Sequence, residues 1–269
     1  MKKILLFFFL LLLTTYTHLL YATITPLEHG HAHNDYLHKR PLFDALDNGF
    51  TSIVIDVYLY KNELKVSHNQ GGLEKKQTIE QLYLDPIKKI IEQNGGVVYK
   101  GQSTPVIFMI DFKTGGSATY LKLKEVLRPY ESMITVYKND SVIHQRAIDI
   151  LISGRSPIDE LLEEDTSMAT IDARISIMKK VPPPKVITRY SSSWDNYFSR
   201  TASGDMTAAD KVKLNSLVTQ AHALHKQIRF YGAPDIPKVW RTLLNAGVDW
   251  INTDKLKEFR EFYNKEYKK

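Results

Sequence analysis

The sequence contains no cysteine, so neither a disulfide framework nor a lipid-anchor thiol can contribute to the protein. It also lacks a glycine-rich phosphate loop after its first strand pattern, which disfavours a doubly wound open sheet, the structural alternative. The formal charge of +6 comes from scattered lysines that cluster only at the C-terminus, a distribution that does not predict nucleic-acid binding. With 43% hydrophobic residues among 269, the chain can instead bury one large core.

The first 22 residues have the layout of a secretory signal peptide. A lysine pair precedes an apolar run over residues 4–13, and threonines interrupt this run well short of the roughly 20 residues that a spanning helix needs. A retained membrane anchor is the competing interpretation. We predict cleavage near Ala22, a secreted (extracellular or periplasmic) protein, and a single mature domain over residues 23–269.

Short apolar, β-branched runs alternate with longer helical patterns, and this alternation predicts repeated βα units around a parallel sheet. The predicted strands are residues 27–33, 52–58, 106–112, 147–152, 168–172, 185–188, 228–231 and 249–252. The predicted helices include residues 42–47, 79–93, 120–127, 208–225, 237–246 and 256–267. About eight βα units without a dividing linker predict an α/β fold of the TIM-like (β/α)8 barrel class.

In such a barrel the active site lies at the carboxyl ends of the strands, and polar residues are concentrated there. The first strand ends in a histidine-rich segment, residues 29–36, and a short hairpin after the second strand leads to a further histidine. Two histidines, two carboxylates, an amide and a lysine are therefore predicted at one rim: His33, His68, Asp56, Asp111, Asn34 and Lys113.

This set of side chains suits the cleavage of a phosphodiester. One imidazole can remove a proton from the attacking hydroxyl while the second protonates the leaving oxygen. Carboxylates and an amide can hold a hard divalent cation such as Ca²⁺ or Mg²⁺, and Lys113 can add a fixed positive charge for the phosphoryl oxygens. Asp56 favours a functional interpretation because an unpaired carboxylate in an apolar strand is costly.

Several segments resemble the phospholipase C-like phosphodiesterase superfamily, which includes glycerophosphodiester phosphodiesterases and phosphatidylinositol-specific phospholipases C. Within the superfamily, the chain is similar to the altered inheritance of mitochondria protein 6 family. The resemblance covers nearly the whole mature chain in the expected order. It rests on His68 and on residues 31–36, 40–46, 55–57, 110–113, 152–155, 229–231 and 246–254.

The resemblance implies a TIM-like barrel in which His33 and His68 form the acid–base pair. His31 lies two residues before His33 and on the same side of an extended chain, so we keep it as the alternative catalytic histidine. The side chains that would face a divalent cation are Asn34, Asp56 and Asp111.

One position departs from the superfamily pattern. The second strand usually carries Glu-x-Asp, whereas Val54 takes the place of the glutamate here. Because a valine cannot ligate a metal, binding of Ca²⁺ or Mg²⁺ should weaken. Three consequences stay open: a metal site completed by water or substrate, a metal-independent site that uses Lys113 and the histidines, or a barrel that binds phosphodiesters without cleaving them.

The sequence thus predicts a secreted phosphoric diester hydrolase for glycerophosphodiester or phospholipid head-group linkages, with peripheral membrane-surface contact as part of this expectation. Lys113, Trp194 and Tyr231 are the predicted substrate-binding residues. A catalytically silent binding barrel is the alternative, and a barrel glycoside hydrolase is disfavoured because histidine outnumbers glutamate at the rim. Asp254 or Thr253 is interpreted as the cap of the last helix.

Overall fold

The computed structural model describes residues 24–179, 184–201 and 203–267. The predicted signal peptide, residues 1–22, lies outside these ranges and stays a prediction. The strands of the described residues are, in chain order, β1 (Leu27–Ala32), β2 (Phe50–Tyr60), β3 (Glu63–Val66), β4 (Val106–Phe112), β5 (Val136–Lys138), β6 (Ser141–His144), β7 (Ile148–Gly154), β8 (Ala169–Arg174), β9 (Ile187–Ser193), β10 (Gln227–Tyr231) and β11 (Trp250–Thr253).

Eight of these strands close into a parallel barrel. β1 pairs with β2 on one side and with β11 on the other, which completes the ring β1-β2-β4-β7-β8-β9-β10-β11. Each barrel strand matches one of the eight predicted strands to within a few residues. The predicted TIM-like barrel is therefore confirmed.

Helices surround the ring of strands. In chain order they are α1 (Phe43–Asp47), α2 (Asp85–Gln93), α3 (Gly116–Leu127), α4 (Ile158–Leu162), α5 (Ala208–Ala223), α6 (Pro237–Asn245) and α7 (Leu256–Glu266), and a π-helical turn over Glu80–Leu84 precedes α2. None of the helices in the described residues is long and apolar enough to span a bilayer.

Strand alternation divides the core into two layers. On β2, Ile53, Ile55 and Val57 pack toward the helices as part of the main hydrophobic cluster. Val54 faces the inside of the barrel, where it packs against Met109 and Leu151. Because side chains alternate along a strand, Asp56 faces the same interior as Val54, two residues closer to the barrel mouth.

Three short elements were not predicted from the sequence. β5 and β6 form a separate antiparallel pair before β7, and α4 is a five-residue helix after it. Elements of three to five residues are too short to show a periodicity of their own. They lie outside the barrel ring and do not alter its strand order.

Candidate active site

A cavity of about 300 Å³ opens at the carboxyl ends of the barrel strands. Two groups of side chains line it. We call the first the histidine wall, formed by β1, β2, β4 and the hairpin: His33, Asn34, Asp56, His68, Asp111 and Lys113. We call the second the arginine wall, formed by β8, β9 and β10: Asp172, Arg174, Ser191, Arg229 and Tyr231.

Parallel strand register brings the carboxylates of the histidine wall together. Asp56 of β2 lies beside Asp111 of β4, and Asp111 lies beside Ser153 of β7, whose hydroxyl donates to Asp111 Oδ1 at 3.0 Å. Gly154 makes room for this row, because a Cβ there would lie 2.2 Å from Asp111 Oδ1, and its φ of +75° favours glycine. The sheet itself therefore positions the row.

Lys113 lies between the two carboxylates. Its ammonium is 3.0 Å from Asp56 Oδ2 and donates to Asp111 Oδ2. Burial lowers the pKa of Lys113, but the charges and hydrogen bonds of Asp111 and Asp56 outweigh that effect and raise the pKa above its usual value. The lysine is therefore a permanent positive charge at neutral pH.

The β2–β3 hairpin carries His68 to the rim. The chain reverses at Lys61 and Asn62, which both adopt positive φ, and the next residues return toward Asp56. His68 Nδ1 is 3.2 Å from Asp56 Oδ2, and the Tyr36 hydroxyl donates to the same oxygen at 2.6 Å. Since an ionised carboxylate only accepts, Nδ1 carries the proton and Nε2 is left for a substrate.

The loop after β1 positions His33. The buried Asp35 carboxylate accepts hydrogen bonds from the Leu42 backbone at 2.6 Å and from the Tyr83 hydroxyl at 2.8 Å, which anchors the loop to the core. Asn34 turns the chain in the left-handed region, with φ 50° and ψ 33°, a conformation that asparagine tolerates well. His33 therefore projects from a fixed turn.

His33 forms a second histidine–aspartate pair. Its Nδ1 lies 3.0 Å from Asp254 Oδ1, and the Asn34 amide donates to the same oxygen at 3.2 Å. Burial alone would raise the pKa of Asp254, but the hydrogen bond and charge of His33 together with the Asn34 hydrogen bond lower it below its usual value. Asp254 thus stays ionised and orients the imidazole.

Asp254 and Tyr36 are site residues that the sequence analysis missed. Asp254 does not cap α7, whereas Thr253, the other predicted cap, accepts a hydrogen bond from the Lys255 backbone N–H at 2.9 Å just before that helix. Asp254 directly follows the end of β11, and the other site residues were predicted from the same kind of strand-end position. Tyr36 belongs to the histidine-rich segment after β1, so its position after a strand could have predicted it in the same way.

An ion pair and an arginine–tyrosine hydrogen bond organise the arginine wall. Arg229 Nη2 donates to the buried Asp172 carboxylate at 3.2 Å, and Arg229 also bonds Ser191 and Asn252. Arg174 Nη1 donates to the Tyr231 hydroxyl at 2.5 Å. Tyr231 was a predicted substrate-binding residue, whereas the arginines and Asp172 were not recognised from the sequence.

Two predicted residues do not reach the cavity. His31 is fully buried, and its Nδ1 lies 2.7 Å from the Ser52 hydroxyl. Its register partner on β2 is also Ser52, four residues before Asp56, so His31 lies about 13 Å along the strand direction from the level of Asp56. Burial, reinforced by the charges of nearby arginines, lowers its pKa well below the usual value. Trp194 packs in the core against Phe198, with ring centroids 4.7 Å apart. The structure brings the other predicted residues together.

The donor set does not fit a Ca²⁺ or Mg²⁺ site in this arrangement. Lys113 lies between the two carboxylates that would ligate the cation, and Val54 supplies no oxygen. Across the ranges that the structure describes, no three His, Asp or Glu side chains are grouped as metal ligands.

Comparisons with known proteins identify the family of this chain. The AIM6-like phosphodiesterase domain matches residues 19–171. Altered inheritance of mitochondria protein 6 of Eremothecium gossypii is 27% identical over 86% of this chain and 68% of its own length. The homolog from Arthroderma benhamiae is 23% identical over 87% of this chain and 83% of its length.

Solved structures share the fold. A glycerophosphodiester phosphodiesterase from Parabacteroides distasonis has a TM-score of 0.55 and 14% identity, covering 90% of this chain and 98% of that one. The phosphatidylinositol-specific phospholipase C from Listeria monocytogenes has a TM-score of 0.50 and 12% identity, covering 91% and 95%. The barrel, its rim residues and the match over residues 19–171 lead to one conclusion: this chain belongs to the AIM6-like phosphodiesterase domain family.

Proposed function

We propose that the protein is a secreted phosphoric diester hydrolase that cleaves glycerophosphodiester or phospholipid head-group linkages. One observation carries the proposal: two imidazoles, each bonded through Nδ1 to a carboxylate, face one cavity beside a lysine ammonium. A phosphodiester needs one base, one acid and a positive charge for its phosphoryl oxygens, and these groups supply all three.

His33 acts as the general base in this proposal. Asp254 orients its ring and stabilises the imidazolium that forms when Nε2 removes a proton from the attacking water or substrate hydroxyl. The attacking oxygen forms a bond to phosphorus as the bond to the leaving alcohol breaks. Among the described side chains, His33 is the ion-pair partner of Asp254 and its other partner, the Asn34 amide, is neutral, so its charge is directed to His33.

His68 acts as the general acid. Its partner Asp56 also accepts from Tyr36 and lies 3.0 Å from Lys113, so the charge of this carboxylate is shared among three groups. An imidazolium stabilised by a shared carboxylate gives up its proton more readily, and the leaving alkoxide receives it. Lys113 offsets the charge that develops on the phosphoryl oxygens.

A second function is supported by Val54. A barrel that binds phosphodiesters without cleaving them would need neither a metal nor a complete acid–base pair. The substitution Val54→Glu distinguishes the hydrolase from the binding barrel. A large gain of metal-dependent turnover would indicate a degenerate site. No gain, or a loss, would indicate that the apolar contact of Val54 with Met109 and Leu151 belongs to a working site.

The experiment is hydrolysis of bis(p-nitrophenyl) phosphate and of glycerophosphodiesters by the mature protein. Wild type is compared with His33→Ala and His68→Ala, and we expect each substitution to lower kcat about 10²–10⁴-fold. Parallel assays with EDTA, followed by Ca²⁺, Mg²⁺ or Mn²⁺, test the cation that the family resemblance implies.

His38→Ala is the matched control, because His38 lies on the same loop but not in the cavity lining. Wild-type turnover with both catalytic variants inactive and the control active would support the proposal. Turnover that survives His68→Ala would contradict it. No turnover with any cation would favour the binding barrel.

A further inference from the structure

The arginine wall lies across the cavity from His33. In the ring of eight strands, β8 is four strands away from β1 in either direction, so the two strands are diametrically opposite. With neighbouring strands about 4.8 Å apart and tilted, opposite strands of such a barrel are about 15 Å apart. Arg174 is therefore placed where it could contact the far end of a substrate whose phosphodiester is held at the histidine wall.

Contacts with β10 hold Arg174 on that side. Its Nη1 donates to the Tyr231 hydroxyl at 2.5 Å, and its guanidinium carbon lies 5.6 Å from the centre of the Tyr231 ring. Arg229 lies at the same distance from this ring, so one aromatic side chain contacts both cations. Since β10 is two strands beyond β8, these contacts draw Arg174 away from β4, the strand that carries Asp111.

Arg174 is the cavity cation without a carboxylate partner in the part of the chain that the structure describes. Asp56 and Asp111 neutralise Lys113, and Asp172 pairs with Arg229. No ion pair includes Arg174, and every aspartate and glutamate side chain of the sequence lies within the described ranges. Its charge is therefore available to a ligand.

We propose that the substrate carries a second acidic group, a carboxylate or a phosphomonoester, on the alcohol that points away from the histidines, and that Arg174 binds it. This inference rests on the proposed function and specifies its substrate class. A guanidinium presents paired N–H donors that match two oxygens of an oxyanion, and such charge-assisted bonds are stronger than bonds to neutral groups.

Neutral hydroxyl groups fit this position less well than an oxyanion. A hydroxyl can accept one hydrogen bond from Arg174, but it carries no charge to pair with this exposed guanidinium, whereas an oxyanion forms stronger, charge-assisted bonds. The Tyr231 hydroxyl already occupies one N–H of the guanidinium. The remaining donors form the recognition element.

The test compares pairs of substrates that differ only in the acidic group. Glycerophosphoserine carries a carboxylate that glycerophosphoethanolamine lacks, and glycerophosphoglycerol phosphate carries a phosphomonoester that glycerophosphoglycerol lacks. We expect wild type to favour the acidic member of at least one pair by about 10-fold in kcat/KM, and Arg174→Gln to bring that ratio close to one. The pair that shows the preference identifies the acid as carboxylate or phosphate.

Arg155→Gln is the matched control, because Arg155 is exposed beside the rim after β7 but does not line the cavity. Arg155→Gln removes one positive charge, as Arg174→Gln does, and should retain the preference for the acidic substrate. Equal use of both members by wild type would overturn the inference, as would a preference that survives Arg174→Gln or disappears equally in Arg155→Gln.

Calorimetric binding of the same four compounds separates this inference from the proposed function. If none is hydrolysed, the hydrolase proposal fails for these compounds, while tighter binding of the acidic members that Arg174→Gln abolishes would still support the acid-binding site. Equal affinities within both pairs would overturn it whether or not turnover occurs.

Discussion

The histidine wall and the arginine wall line the same cavity, but they hold their charges differently. In the histidine wall, three hydrogen-bonding groups converge on Asp56, and each imidazole leaves one nitrogen toward the cavity. In the arginine wall, Arg229 is fixed by three side-chain bonds, and both arginines contact a single tyrosine. The histidine wall combines two imidazoles, the side-chain type suited to proton transfer, with one lysine, and the arginine wall holds two guanidiniums.

This difference indicates a division between chemistry and recognition. Imidazoles change charge within the physiological range, so they suit proton transfer. Guanidiniums stay protonated, so they suit binding of an anion or support of the fold. Substitutions in the histidine wall should then lower turnover of every substrate, whereas substitutions in the arginine wall should change stability or substrate choice.

The largest effect is expected from Arg229→Met. Arg229 and Asp172 form an ion pair whose side chains are 5% and 2% exposed, and removing one partner leaves a buried, uncompensated charge. We expect the free energy of unfolding to fall by about 3–5 kcal/mol in urea denaturation. Adding Asp172→Asn should recover part of the loss, and no recovery would show that the pair is not the cause.

Arg189→Met is the control for that experiment. Arg189 is also buried, and burial lowers its pKa, but in the described ranges it pairs with no carboxylate. Its contacts include a long hydrogen bond of 3.4 Å to Gln227, a contact of 4.0 Å with Met109 Sδ, and the Trp250 ring at 4.7 Å. Exchange for an apolar side chain of similar length should change stability by no more than about 1 kcal/mol.

Lys113→Met tests the positive charge of the histidine wall. Without the ammonium, the histidine wall has no permanent cation to offset the charge of the phosphoryl oxygens, and we expect kcat to fall about 10²–10³-fold for all substrates. Lys61→Met, at the exposed hairpin turn, should have no effect. A loss confined to acidic substrates would contradict the division, because it would assign recognition to this wall.

Strand alternation and strand-end chemistry explain why the sequence predicts the histidine wall well. Each barrel strand is a short apolar run, and His33, Asp56 and Asp111 stand at or just after strand ends, where a barrel gathers its site. His31 was kept because alternation fixes the side of a strand but not the depth, and the register with Ser52 buries it.

Residues whose roles depend on tertiary contacts were not predicted. Asp254 is 221 positions from His33 in sequence, and only closure of β11 onto β1 brings them together. Asp172, Arg174 and Arg229 also lie at strand ends, but no local pattern assigns them to an ion pair or to a tyrosine contact. Trp194 follows β9, yet packing against Phe198 turns it into the core.

Asp254→Asn should slow catalysis by about 10²-fold with KM nearly unchanged. The asparagine amide can donate to His33 Nδ1, which favours the wrong tautomer and removes the charge that stabilises the imidazolium. Asp165→Asn is the control, since Asp165 is exposed and makes no ion pair with any described side chain. A rise in KM without a fall in kcat would show that Asp254 contacts substrate rather than positioning His33.

The same substitution has a small, pH-dependent effect on stability. Folding lowers the pKa of Asp254, so its interactions stabilise the protein above the usual carboxyl pKa of about 3.9, and this contribution is lost as the pH falls through the folded-state value. Because the side chain is 55% exposed, we expect less than about 1 kcal/mol, or about 2–4 °C in Tm. Wild type should exceed Asp254→Asn in Tm at a pH of about 6, and the gap should narrow at a pH of about 3.5. A gap that stays constant would mean that lost packing, not the carboxylate charge, separates the two proteins.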